Sequence, residues 1–145
     1  MANPTLLVKK LDPNAIIPQY HSAEAAGFDL HSLLDYEIGR GERTLVKTGL
    51  AVSFAQGYEL QVRPRSSLAL KHGVTVLNSP GTVDSDYRGE LMIILINHGS
   101  EPFMIKRGER VAQAVLKAVE QAVITEVDDL DATDRGTGGF GSTGR

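Results

Sequence analysis

Between Gly81 and Gly89 the chain sets two carboxylates, a tyrosine and an arginine close together, as Gly81-Thr82-Val83-Asp84-Ser85-Asp86-Tyr87-Arg88-Gly89. Carboxylates, a phenol and a guanidinium packed this closely between two glycines mark the segment as a place for chemistry. Glu90 and the run Leu91-Met92-Ile93-Ile94-Leu95-Ile96 come next. That run has strand length and β-forming residues, and it predicts a buried strand. The acidic segment is therefore expected as a loop or hairpin at the end of a rigid element, a suitable place for a catalytic group. Asp, Ser and Gly also build ordinary solvated turns.

Three other blocks carry chemistry of a complementary kind. Arg65-Ser66-Ser67 opens a predicted helix. Free N–H groups, two hydroxyls and a guanidinium there suit a phosphate, or Ser66 is a plain cap beside a surface arginine. Asp29, in Ala25-Ala26-Gly27-Phe28-Asp29-Leu30, stands alone at a strand start and would matter only near a bound cation or phosphate. Gln113 lies in phase with Val111 and Val115. A polar amide on an apolar stripe needs partners if buried, either structural ones or a phosphate–water network. His21, His31, His72 and His98 form no metal-binding pair and are expected at surface or capping positions. A catalytic ion would have to be Mg²⁺, held mainly by the phosphates of a substrate.

Composition narrows the possibilities. The 145 residues make one domain, 41% hydrophobic with a net charge of −3. No basic excess points to nucleic acid. With no cysteine, disulfides, zinc–thiolate sites and thiol nucleophiles are excluded. Neither a signal peptide nor an apolar run of membrane-spanning length is present, so the expected location is cytoplasmic, away from membranes. Gly136-x-Gly138-x-x-Gly141 matches a dinucleotide fingerprint literally, but no helix or acidic partner can follow it, and no Walker lysine occurs.

The elements that must position these groups are short strands. They are predicted over Thr5–Lys10, Gly27–Ser32, Tyr36–Ile38, Thr44–Thr48, Leu50–Ala55, Tyr58–Arg63, Val74–Leu77, Leu91–Asn97, Phe103–Ile105, Val111–Val119 and Val123–Val127. Such spacing argues for an antiparallel sandwich or jelly roll. The one helix is expected over Ser66–His72, stopped by Gly73. From Arg135 to Arg145 the chain has one apolar side chain, Phe140, and five glycines. Ordering that tail alone would cost on the order of 10 kcal/mol, at about 1 kcal/mol per residue. It is either a disordered terminus or an arm that orders on an anionic ligand with a flat ring.

Taken in order, the blocks Ala25–Leu30, Pro64–Ala69, Asn78–Glu90, Arg110–Gln113 and Arg135–Gly144 resemble the five motifs of the trimeric deoxyuridine triphosphatases, the dUTPases. The resemblance implies an all-β, distorted jelly-roll-like barrel or sandwich with one short helix. It also implies a catalytic domain over 1–134, a C-terminal arm over 135–145, and a homotrimer with active sites between subunits. The implied reaction is Mg²⁺-dependent hydrolysis of dUTP to dUMP and pyrophosphate. Carried over by position, Asp84 is the general base and Asp29 orients waters on the phosphate-bound Mg²⁺. Asn78 pairs with the uracil edge, and Tyr87 packs on the deoxyribose, with Val83 and Met92 completing the nucleotide site. Arg65, Ser66, Ser67, Arg110 and Gln113 fall on the phosphate side. Phe140 stacks on the base while Arg135, Gly141, Ser142 and Thr143 close over the γ-phosphate. Small departures are the Ser79-Pro80 pair after Asn78 and Ser67 where glycine also occurs. The alternatives are a dCTP deaminase-like enzyme and a non-catalytic nucleotide-binding module. The deaminases carry a glutamate where this chain has Ile94.

Overall fold

The computed structural model describes residues 2–144. In chain order the elements are β1 (Leu7–Lys10), β2 (Phe28–His31), β3 (Tyr36–Ile38), β4 (Arg43–Lys47), β5 (Leu50–Ser53), β6 (Tyr58–Arg63), α1 (Ser66–His72), β7 (Val74–Val76), β8 (Gly81–Val83), β9 (Met92–Asn97), β10 (Phe103–Ile105) and β11 (Arg110–Ala118). Every pairing is antiparallel. A four-stranded sheet runs β2-β11-β6-β8 and a three-stranded one β4-β9-β7, with β1 on β5 and β3 on β10 as separate ribbons. The expected all-β, jelly-roll-like architecture with one short helix is the one observed.

Alternation along the strands builds the core. Leu60 and Val62 of β6, Ile93 and Leu95 of β9, and Val74 and Val76 of β7 all point inward, joined by Leu30, Ile38, Val46 and Ile105. Fully burying each such Leu or Ile contributes roughly 1.5–3 kcal/mol. Among the described residues, Asn97 is the one amide completely enclosed with them. It donates to the carbonyls of Ile38 (2.9 Å) and Glu101 (2.8 Å) and accepts the Gly99 N–H (2.8 Å). Its polar atoms are thus repaid, and the end of β9 is fixed to β3.

Four expectations change. Gly81–Val83, expected within a loop, is a strand paired with Leu60–Val62 of β6, because β6 offers it an open edge. Val123–Val127 is not a strand: Val123 and Ile124 are more than nine-tenths exposed, and no strand among the described residues pairs with them. Apolar β-forming residues need such an edge before they form a ladder. The apolar run from Leu91 is buried on one face only, with Met92 exposed and Ile94 and Ile96 half-buried. Finally, the register of β11 on β2 shifts between Arg110 and Ala112. That bulge moves Val111 into the core with Ala112 and Ala114, so Gln113 does not share a face with Val111.

Helix α1 spans the predicted residues, and Gly73 closes it in the left-handed conformation (φ 67°), its N–H reaching the carbonyls of Ala69 and Leu68. Its start differs. Arg65, not Ser66, is the N-cap, with extended backbone and no side-chain cap bond. Its guanidinium turns instead toward Asp29. Arg65 is accordingly not the surface residue that a plain cap would leave.

Candidate active site

β8 carries the acidic segment. Val83 pairs with Leu60, and the chain then leaves the sheet at Asp84. A tight turn follows, closed by Tyr87 N–H donating to the Asp84 carbonyl at 3.1 Å. Arg88 braces it from outside by donating to the Ser85 carbonyl at 2.6 Å. Asp84 is exposed at the lip of a cleft of about 270 Å³. Asn78, Val83, Tyr87, Met92 and Ile94 line that cleft with it. Asn78 follows β7 and precedes the cis Ser79–Pro80 bond, while the Ser79 hydroxyl donates to the Val76 carbonyl. The cleft thus combines apolar walls with one amide, Asn78, and two carboxylates, Asp84 and Glu90, the composition of a small-molecule site. Met92 and Ile94, two of the outward apolar residues of β9, form part of its wall. Ile94 leaves that wall without the carboxylate that a deaminase would carry.

A second group collects where β2, β11 and the start of α1 meet. Gln113 pairs in register with Asp29 on one side and Arg63 on the other. Its amide donates to the Pro64 carbonyl at 3.1 Å, a structural partner that also fixes the chain ahead of Arg65. The Asp29 carboxylate faces Arg65 at 3.6 Å, Arg110 at 3.5 Å and His21 at 3.3 Å. Arg65 also donates to the Arg110 carbonyl at 3.2 Å. These ion pairs are long, and Arg110 is about half exposed, so each contributes little stability by itself. Two guanidiniums around one carboxylate leave net positive charge free to meet an anion. Ser66 is exposed and Ser67 half-buried beside them. His21 was expected only as a surface or capping residue; its contact with Asp29 has no sequence-local signal.

The two groups do not meet in one chain. Between Asp29 and Asp84 lie three inter-strand steps, β2 to β11 to β6 to β8, and four residues along the strand from the Arg63 row to the Glu59 row. At about 4.8 Å per strand and about 3.3 Å per residue, that places them roughly 20 Å apart. The arm forms a third group. Its hydrogen bonds are local: Arg135 Nε to Gly138 O (2.9 Å), Ser142 N to Gly139 O (3.0 Å) and Gly144 N to Gly141 O (3.1 Å). Phe140 is fully exposed with φ 52°, and Thr143 is exposed beside it. Arg145 lies outside the described residues.

No group of three or more metal-binding side chains occurs among the described residues. A lone carboxylate, Asp29, beside two guanidiniums does not make an all-protein cage, so an ion here would need most of its oxygen ligands from elsewhere. No helix among them is long and apolar enough to cross a membrane.

A family model described as dUTPase matches residues 13–144. The chain belongs to the dUTPase family. A deoxyuridine 5'-triphosphate nucleotidohydrolase of Nautilia profundicola is 61% identical over 140 residues, covering 97% of this chain and 99% of that protein. One of Wolinella succinogenes is 61% identical over 136 residues, with 94% and 91% covered. Among solved structures, a mutant Staphylococcus bacteriophage 80alpha dUTPase with dUpNHpp superposes at a TM-score of 0.90 and 26% identity, covering 97% of this chain and 99% of that one. All five dUTPase-like motifs fall within the matched span.

Proposed function

We propose that this dUTPase-family chain hydrolyses dUTP to dUMP and pyrophosphate by attack of water on the α-phosphate. That activity limits uracil incorporation into DNA and supplies dUMP for thymidylate synthesis. The supporting observation is the cleft where Asn78, Asp84 and Tyr87 converge between β8 and β9. Asn78 reads the uracil edge, Val83 and Met92 enclose the nucleoside, and the Tyr87 ring lies against the deoxyribose. Asp84 accepts the proton of the attacking water, a role worth about 10²–10⁴ in rate. Arg65, Ser66, Ser67, Arg110 and Gln113 hold the phosphates. Asp29 orients the waters of Mg²⁺, which when bound neutralises charge on the triphosphate.

A separation of roughly 20 Å is far too long for one triphosphate to bridge two groups of the same chain. A homotrimer resolves this, with the Asp84 cleft of one copy facing the Asp29 group of the next. Residues 1–134 are then the catalytic domain. The arm, 135–145, orders on the nucleotide, Phe140 stacking on uracil while Arg135, Gly141, Ser142 and Thr143 cover the γ-phosphate and exclude water. Such an enzyme works in the cytoplasm on free nucleotide. The test is pyrophosphate release with Mg²⁺ from dUTP, dTTP, dCTP and UTP. Rapid turnover of dUTP alone is expected; comparable turnover of dCTP or UTP would contradict the assignment of Asn78 or Tyr87.

A further inference from the structure

One peptide plane, that joining Glu90 to Leu91, is tied on both sides. Its carbonyl accepts the Tyr87 hydroxyl at 2.9 Å, and its N–H donates to the Leu50 carbonyl at 2.8 Å. The Leu91 carbonyl, one step on, accepts the buried Thr48 hydroxyl at 2.6 Å. The Glu90 carboxylate reaches back to the same turn and accepts the Gly49 N–H at 2.9 Å. That turn has little freedom. Gly49 has φ +72°, and a Cβ there would lie 3.0 Å from the Ala15 Cβ and 3.2 Å from a Leu33 methyl.

The Tyr87 ring gains its stiffness from this clamp. It is 41% exposed, and its ring folds back over Gly89, where a Cβ would lie 2.6 Å from Cζ. The hydroxyl bond to Glu90 is the one polar tie its side chain makes among the described residues. A wall that excludes an added oxygen by size works only if it cannot retreat. Because the hydroxyl is already committed, a ribose 2′-hydroxyl pressed against the ring would also lose water without gaining that partner.

We propose that Glu90 is a positioning residue. By fixing its own peptide to the Gly49 turn, it holds Tyr87 in the pose that rejects ribonucleotides. This rests on Tyr87 being the deoxyribose wall. The test compares kcat/KM for dUTP and UTP in Glu90→Ala, Glu90→Gln, Tyr87→Phe and the Glu90→Ala/Tyr87→Phe double variant. Glu90→Ala and Tyr87→Phe should each lower the dUTP preference by about fivefold or more, the effect of loosening one net hydrogen bond. The double variant should fall no further than either alone, because the Glu90–Gly49 and Tyr87–Glu90 bonds are successive links of one chain holding the ring, and breaking either link frees it. Glu90→Gln keeps an oxygen acceptor for Gly49 and should restore the preference. Fluorotyrosine NMR without nucleotide gives a second readout, with the Tyr87 resonance assigned from Tyr87→Phe. It should move in Glu90→Ala and stay in place in Glu90→Gln. An unmoved preference in folded Glu90→Ala, or losses that multiply in the double variant, would overturn the inference while leaving the Tyr87 assignment standing. Equal wild-type rates on dUTP and UTP would overturn that assignment and the inference together.

Discussion

If Asp84 and Asp29 act on the same nucleotide but come from different copies, two inactive chains should rescue each other. Asp84→Asn removes the proposed base, and Asp29→Asn removes the proposed carboxylate of the phosphate side. Both are near-isosteric, and neither side chain is part of the core, so both variants should fold. The pairing ladder puts these residues roughly 20 Å apart in one chain, whereas a general base must lie within about 3 Å of its proton or act through one water. Mix the two variants one to one, and let subunits exchange by unfolding and refolding. A site between neighbours then combines an intact Asp84 with an intact Asp29 in about one case in four, so about a quarter of wild-type turnover should return. A site within one chain always lacks one of the two. The assay is pyrophosphate release from dUTP, with native mass spectrometry confirming that mixed oligomers formed. Mixed oligomers with no recovered activity would refute the shared site.

Asp84→Asn alone should keep its melting temperature within a few degrees and bind dUTP, yet lose about 10²–10⁴ in kcat, measured by steady-state kinetics. Ending the chain at Asp134 should leave the oligomer intact by size-exclusion chromatography but severely reduce turnover, since the arm's bonds run within itself or to nearby exposed Thr133 and unfold nothing when removed. Asn97→Ala should destabilise the fold by about 2–4 kcal/mol in urea titration, because the Ile38 and Glu101 carbonyls and the Gly99 N–H lose their partner inside the core.

What the residues announced and what they hid follow from the range of the forces involved. α1 was legible because its stop signal is local: Gly73 adopts the one conformation that its neighbours require. β3, β6 and β10 were legible from alternation and flanking turns. β8 was not. Gly81-Thr82-Val83 has no strand signal of its own and is a strand only because β6 presents a free edge far along the sequence. Val123–Val127 failed in the opposite sense, with strand-forming residues and no edge to pair with. Within the site, Asp84 and Tyr87 stood out by sequence proximity and Asn78 through the family resemblance, and the three share a cleft. The contact of His21 with Asp29 and the hold of Glu90 on Gly49 depend on tertiary placement. The bulge that takes Val111 off the Gln113 face is equally invisible in a strict period of two.

The central claim is that the Asp84 carboxylate of one copy faces the nucleophilic water while the Asp29 group of another holds the phosphates. A crystal structure with a non-hydrolysable dUTP analogue and Mg²⁺ tests it most directly. The account predicts a water bonded to Asp84 and in line with the α-phosphorus, with Arg65, Gln113 and Asp29 of a neighbouring subunit around the triphosphate. A water held by some other group, or both sets of residues supplied by one chain, would contradict it.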